Sequence, residues 1–337
     1  MRLISAIKPT GKSFSLTLGN YIGLIKNLEN IKDKFDDIFI FIADLHALTF
    51  FIDPKDLNES SKKVAAFFLA ILANDFFDTE KITLFLQSDI HEHSELNTIL
   101  QNFLYFGEMK RMTQFKSKEK ELGNEKLSLG FFAYPALMCA DIVLYNADAV
   151  PVGEDQKQHI ELTRNLVKRF NNYYHEEILV QPKAIINEIG FKIMDLKNPK
   201  VKMSKSSSKL GTIFIDDNDD DIKKKIMSAT TDNEKDIKFD VKNKPGISNL
   251  LTIYASIKNI SLKECENRFN GYKYVDFKKE VAIAVVEEIR GVREKYNSIL
   301  KNEEFIKNIL KKGAKKASLV AKETLKKVKK YVGFYEK

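Results

Sequence analysis

Asp37-Ile38-Phe39-Ile40-Phe41-Ile42-Ala43-Asp44 is the stretch that decides the fold. Its unbroken apolar run between two acids has no in/out alternation. Such a run belongs to a strand covered on both faces, as in a parallel sheet flanked by helices. The run leads into Leu45-His46, at the carboxyl edge where doubly wound sheets bind ligands. His46 is therefore a candidate pocket residue; a structural, hydrogen-bonded histidine is an equal alternative.

Working outward, Leu3–Ile7, Ile82–Gln87 and Ala149–Val152 read as further short strands. Between and after them lie helical patterns: Asn58–Ala73, Glu95–Phe106, Ser128–Asn146 and Gln156–Phe170. Strands alternating with helices predict an α/β fold with a doubly wound, Rossmann-like parallel sheet. Beyond residue 216 only helical periods are seen, which predicts a second, smaller all-helical part. The expected division is 1–200 catalytic, 201–215 hinge, 216–290 helical domain and 291–337 helices packing back on the first part. The last helix, Phe305–Tyr331, places Ile306, Leu310, Ala317, Val320, Leu325 and Val328 near one side, with lysines elsewhere.

The 337 residues are 44% hydrophobic, enough for a sizeable core, which excludes a disordered chain. The formal charge is +8. That excess suits a polyanionic partner, and equally a lysine-rich composition with no such partner. Two distant cysteines, Cys139 and Cys265, exclude a disulfide framework and a cysteine-held metal. Met1–Pro9 has no signal-peptide core, and the runs Ile38–Ala43 and Ala65–Ala73 are too short for a bilayer. A cytoplasmic protein without membrane contact is expected.

Lys8-Pro9-Thr10-Gly11 is a turn, and Leu16–Gly23 reads as strand, glycine turn, helix. Gly19 lets a ligand approach the backbone, and a helix start favours phosphate. The spaced glycines of a dinucleotide fingerprint are missing, which argues against a dehydrogenase. His91-Glu92-His93 has too few ligands for a zinc site and is expected in a solvated loop. Ser117–Lys126 has loop composition. Tyr134, Met138 and Asp141 fall four and three apart, on one helix face. An acid in that apolar setting needs a donor: a salt-bridge partner, or a ligand N–H. Gly153-Glu154-Asp155-Gln156, at a strand-to-helix junction, suits ribose hydroxyls.

Lys200–Gly211 reads K-V-K-M-S-K-S-S-S-K-L-G. Lys202 and Lys205 can converge on one polyanion from a serine-rich, mobile backbone, a clamp for charge developing on a departing phosphate. Taken by itself, the stretch is better read as a solvated serine-lysine linker.

Taken in order, these stretches resemble the class I aminoacyl-tRNA synthetases, and within them the bacterial tryptophanyl-tRNA synthetase family. Thr17-Leu18-Gly19-Asn20 is similar to the first class motif, and Lys202-Met203-Ser204-Lys205-Ser206 matches the second letter for letter. Glu108–Lys116, Tyr134-Pro135 with Met138 and Asp141, Val150–His159, Lys244–Leu251 and Gly313–Ala317 continue the likeness over nearly the whole chain. The resemblance implies activation of L-tryptophan with ATP and transfer to tRNA(Trp) by a homodimer. Asp141 would accept the indole N–H; Ile4, His46, Tyr134, Met138, Val150, Val152 and Gln156 would line its pocket. ATP would lie against Lys8, Pro9, Thr10, Gly19, Asn20, Gly153, Glu154, Asp155, Ile193, Met203, Ser204 and Ser206. Lys202, Lys205 and Lys116, with Thr17 and Asn20, would serve the chemistry, and Mg2+ would arrive with the nucleotide rather than on protein ligands. The first-motif loop is lengthened by Gly11–Ser15, and Lys8, Ile4 and Ala6 depart from the family pattern. A tyrosine-specific relative and a non-catalytic tRNA-binding paralogue are the alternatives.

Overall fold

The computed structural model describes residues 1–9, 16–23, 32–73, 80–123, 126–153, 156–186, 192–204, 208–234 and 236–335. Five strands form one sheet: β1 (Arg2–Ile7), β2 (Asp37–Ile42), β3 (Ile82–Leu86), β4 (Ala149–Val152) and β5 (Lys183–Ile186). Their order is β3-β2-β1-β4-β5, and every pairing is parallel. The helices are α1 (Leu18–Tyr21), α2 (Asp44–Ala47), α3 (Pro54–Leu72), α4 (Glu92–Gln101), α5 (Phe106–Lys110), α6 (Thr113–Leu122) and α7 (Leu129–Val143). They continue as α8 (Lys157–Tyr174), α9 (Asp219–Met227), α10 (Pro245–Lys258), α11 (Leu262–Arg268), α12 (Tyr274–Leu300) and α13 (Glu303–Val332).

The quoted stretch is β2, and from Ile38 to Ile42 it is buried throughout. Alternate side chains of the sheet go to opposite faces, as the two-residue period of a strand requires. Leu3, Ile38, Ile40 and Ile42 pack with Val64–Leu72 of α3, in a core that continues into Ile247, Leu250, Val281 and Val285 of α10 and α12. Ile4, Phe39, Phe41 and Phe85 face the other way, against α4, α7 and α8 and Ala317 and Leu325 of α13. The apolar core thus runs without a break from sheet to helical part. Helix α12 also passes unbroken through residue 290, where the sequence reading places a boundary. Helix α13 lies flush on the sheet, because at Gly313 any side chain would run into the Leu84 carbonyl.

Several elements differ from the expectation. Strand β5 was not read; it is four residues long, carries Lys183 and pairs only with β4. Thr17 forms a single antiparallel bridge to Phe214 rather than belonging to a strand. Ser117 to Leu122 is helix, not loop. There Phe115 is buried, Lys118 pairs with Glu121 at 2.6 Å, and Gly123 ends α6 with φ +77. The Glu95–Phe106 pattern divides into α4 and α5. His93 is not in a solvated loop: it lies fully buried in the first turn of α4, and only His91 of the triplet is exposed.

Candidate active site

Strand β1 has β2 on one side and β4 on the other, so the chain winds away from it in both directions. At such a switch point the strand ends part and leave a crevice. A cavity of about 610 Å³ opens there, within the ~300–1,000 Å³ usual for small-molecule sites. Ile4, Ala6 and Lys8 reach it from β1 and its end, and Val150, Val152 and Gly153 from β4. His46, on α2 just past β2, and Gln156, just before α8, close two sides.

Helix α7 forms the remaining wall. Ser128 caps it, its hydroxyl accepting from the Phe131 N–H at 3.0 Å, which fixes where the helical period begins. From that start Phe131, Tyr134, Met138 and Asp141 all reach the cavity. The Tyr134 hydroxyl donates to Gln114 Oε1 at 2.9 Å and lies 2.7 Å from His159 Nε2, so two partners hold the phenol end of the ring. Burial raises its pKa, and it stays a neutral phenol.

Asp141 is the cavity's buried charge. Its Oδ1 accepts from Gln87 Nε2 and from His93 Nδ1, each at 2.7 Å; its Oδ2 accepts from His46 Nε2 at 2.7 Å. Burial alone would push this carboxyl up. The imidazoles of His46 and His93 outweigh it and hold the group ionised, with a pKa of about 2. Gln87 and His93 stand behind the carboxylate, outside the cavity lining, whereas His46 is part of the lining. Oδ2 is therefore the oxygen on the cavity side.

A second group of residues meets around the start of α1. Thr17 accepts from the Asn20 N–H at 3.1 Å, and Asn20 Oδ1 accepts from Thr17 N–H at 3.3 Å, a reciprocal box that sets the start of α1. A side chain at Gly19 would lie 3.5 Å from Ile193 and 3.8 Å from Met203, so the two motif stretches are neighbours. The lysine-serine stretch is pinned at its ends: Met203 N–H donates to Ile193 O at 2.9 Å, and the Thr212 hydroxyl to Ser204 O at 3.0 Å. Asn249 of α10 clamps the adjoining backbone, accepting from Met194 N–H at 2.8 Å and donating to Met194 O at 2.9 Å.

The structure thus gathers Ile4, Lys8, His46, Tyr134, Met138, Asp141, Val150, Val152, Gly153 and Gln156 at one cavity. Thr17, Gly19, Asn20, Ile193, Met203 and Ser204 belong to the second group, and Lys202 is exposed on the bridge to Met194. Pro9 is buried just after β1. Thr10, Glu154, Asp155, Lys205 and Ser206, like the loop Gly11–Ser15, lie outside the described residues. Lys116 is exposed and does not line the cavity; Gln114, Ser117 and Lys118 of the same helix do. Their spacing of three and four is the signal that selects Lys118 once α6 is known to be a helix. Lys8 donates to Thr49 at 2.9 Å beside the Phe50 ring, and burial lowers its pKa. Neither Thr49 nor Phe50 was marked by any motif, nor was Gln87; His93 stood out only as part of a histidine triplet, with no sign of its partner Asp141, which is remote in sequence.

The chain belongs to the class I tRNA synthetases of the tryptophan and tyrosine (W and Y) group, whose family model matches residues 1–289. Over 333 residues it is 44% identical to the tryptophan–tRNA ligase of Caldanaerobacter subterraneus subsp. tengcongensis, covering 98% of each chain. The tryptophanyl-tRNA synthetase of Mycoplasma pneumoniae superposes with a TM-score of 0.86 at 35% identity, over 99% of this chain and 98% of that one. The Campylobacter jejuni enzyme, solved with ADP and tryptophan, gives 0.80 at 34% identity, over 99% and 100%.

Proposed function

We infer that this chain is a tryptophan–tRNA ligase. It joins L-tryptophan to ATP, releasing pyrophosphate, and passes the tryptophanyl group from the adenylate to the 3′-terminal adenosine of tRNA(Trp). The observation that carries the substrate assignment is the ionised Asp141 at an otherwise largely apolar cavity. Asp141 Oδ2 accepts the indole N–H, while Ile4, Tyr134, Met138, Val150 and Val152 enclose the ring, and His46 and Gln156 supply polar edges. A buried acceptor of this kind rejects side chains without a matching donor, because its remaining acceptor site is then left unfilled.

ATP lies along Lys8, Pro9, Gly153, Gly19, Asn20, Ile193, Met203 and Ser204, and Thr10, Glu154, Asp155 and Ser206 belong to the same assignment. The tryptophan carboxylate is already ionised. It attacks the α-phosphorus, the bond from that phosphorus to the bridging oxygen breaks, and pyrophosphate leaves with the electron pair. No general base is required; positioning and charge stabilisation supply the catalysis. Lys202 and Lys205 receive the charge of the leaving group, and Lys118, on the cavity side of α6, takes the part first given to Lys116. Among the described residues no three His, Cys, Asp or Glu side chains group as a metal site. In this reading Mg2+ arrives with the nucleotide, where it would screen phosphate charge.

The reading includes a homodimer in the cytoplasm. Among the described residues no helix is long and apolar enough to cross a membrane. Exposed Phe51, Phe106 and Leu129 near the cavity offer apolar surface for a second copy. Charging of bacterial tRNA with labelled tryptophan tests the function: ATP-dependent, acid-precipitable label is expected, and its absence with active tRNA would refute the assignment.

A further inference from the structure

We propose that His93 and Tyr145 are positioning residues for tryptophan selection, holding the Asp141 carboxylate so that one acceptor site, on Oδ2, faces the cavity. The proposal rests on the reading of Asp141 as the indole acceptor. An ionised carboxylate has about four acceptor sites. Three are filled: two on Oδ1 by Gln87 and His93, one on Oδ2 by His46. The remaining one is on Oδ2, the oxygen bonded to the cavity-lining His46. Gln87 donates to Oδ1 although its own buried Oε1 has no partner among the described residues. That arrangement favours the carboxylate at the amide's expense.

The ionised Asp141 only accepts, so the neutral His93 ring donates to it from Nδ1, and Tyr145 supports that tautomer from the other side. The Tyr145 hydroxyl lies 2.7 Å from His93 Nε2. With Nδ1–H turned to Asp141, Nε2 is an acceptor and the phenol must be the donor. Burial raises the Tyr145 pKa, so the phenol keeps its proton. The imidazole plane is held as well: Phe41, Phe85 and Tyr145 surround it at centroid distances of 5.7, 6.4 and 5.4 Å. His93 is fully buried and does not line the cavity, so it acts on the substrate through Asp141 alone.

The test compares kcat/KM for pyrophosphate exchange driven by tryptophan and by β-(1-benzothiophen-3-yl)alanine, whose sulfur replaces the indole N–H. His93→Leu removes the donor. Tyr145→Phe removes the partner that holds Nε2, and His93→Asn restores an N–H close to the Nδ1 position. We expect His93→Leu and Tyr145→Phe each to reduce the preference for tryptophan by at least about tenfold. The KM for ATP should stay unchanged, and His93→Asn should keep most of the preference. Should His93→Leu fail to fold, the other two variants decide. An unchanged preference in Tyr145→Phe, or an equal loss toward ATP and tryptophan, overturns the proposal. If the unmodified protein shows no exchange with tryptophan, the functional reading fails instead, and this proposal with it.

Discussion

At the scale of single residues, Asp141 carries the account. Three donors surround it at hydrogen-bond distance, and each would be orphaned by its loss. Asp141→Asn should raise the KM for tryptophan by about 100-fold or more while the KM for ATP changes little, as exchange kinetics will show. Equal effects on both would refute the role. Acid should expose the same group. Its folded pKa of about 2 lies below the ordinary 3.8, so its stabilisation is complete above about pH 4 and is lost as pH falls toward 2. The stability difference between the unmodified protein and Asp141→Asn, from urea unfolding, should shrink by about 2 kcal/mol over that window. Asp141 itself was legible, because an acid on an apolar helix face demands a partner. Its protein partners were not. Gln87 and His93 sit among polar neighbours on β3's end and α4, and nothing local says that the fold carries them to α7.

At the scale of elements, the lysine assignment shows what periodicity decides. The stretch after Gln114 has so many charged residues that its composition resembles a loop. As helix α6 it sends Gln114, Ser117 and Lys118 to the cavity and Lys116 outward. Lys118→Ala should therefore lower kcat for adenylate formation by at least about tenfold, and Lys116→Ala by less than about threefold. The reverse ranking, measured in single turnovers, would return the role to Lys116. The base of the lysine-serine stretch depends on α10. Asn249→Ala leaves both Met194 backbone groups without their partner and should cost about 1–3 kcal/mol. We expect a lower urea midpoint and slower adenylate formation with little change in tryptophan KM. A variant as stable and active as the parent would show that Asn249 does not anchor that stretch. The Lys244–Leu251 stretch containing Asn249 was visible in sequence, but its contact with Met194 is long-range and left no pattern.

For the whole molecule, the parallel sheet was readable because β1 to β4 are short apolar runs between helical periods. The switch point was less so: strand order depends on pairing, and β5, which completes the second side, is only four residues long. The cavity lies where the two windings diverge, and the two motif stretches meet each other through Gly19, Ile193 and Met203. Exposed Phe51 and Leu129 suit a second copy. Light scattering should give twice the chain mass, and a Leu129→Glu and Phe51→Glu double variant should shift it toward the monomer; a monomeric parent would remove the dimer from the account. Substrate choice is the central claim, and amino-acid-dependent exchange of labelled pyrophosphate into ATP reads it most directly. Exchange driven by tryptophan and at least about a hundredfold weaker with tyrosine is the predicted result; no exchange with tryptophan, or equal exchange with tyrosine, would contradict it.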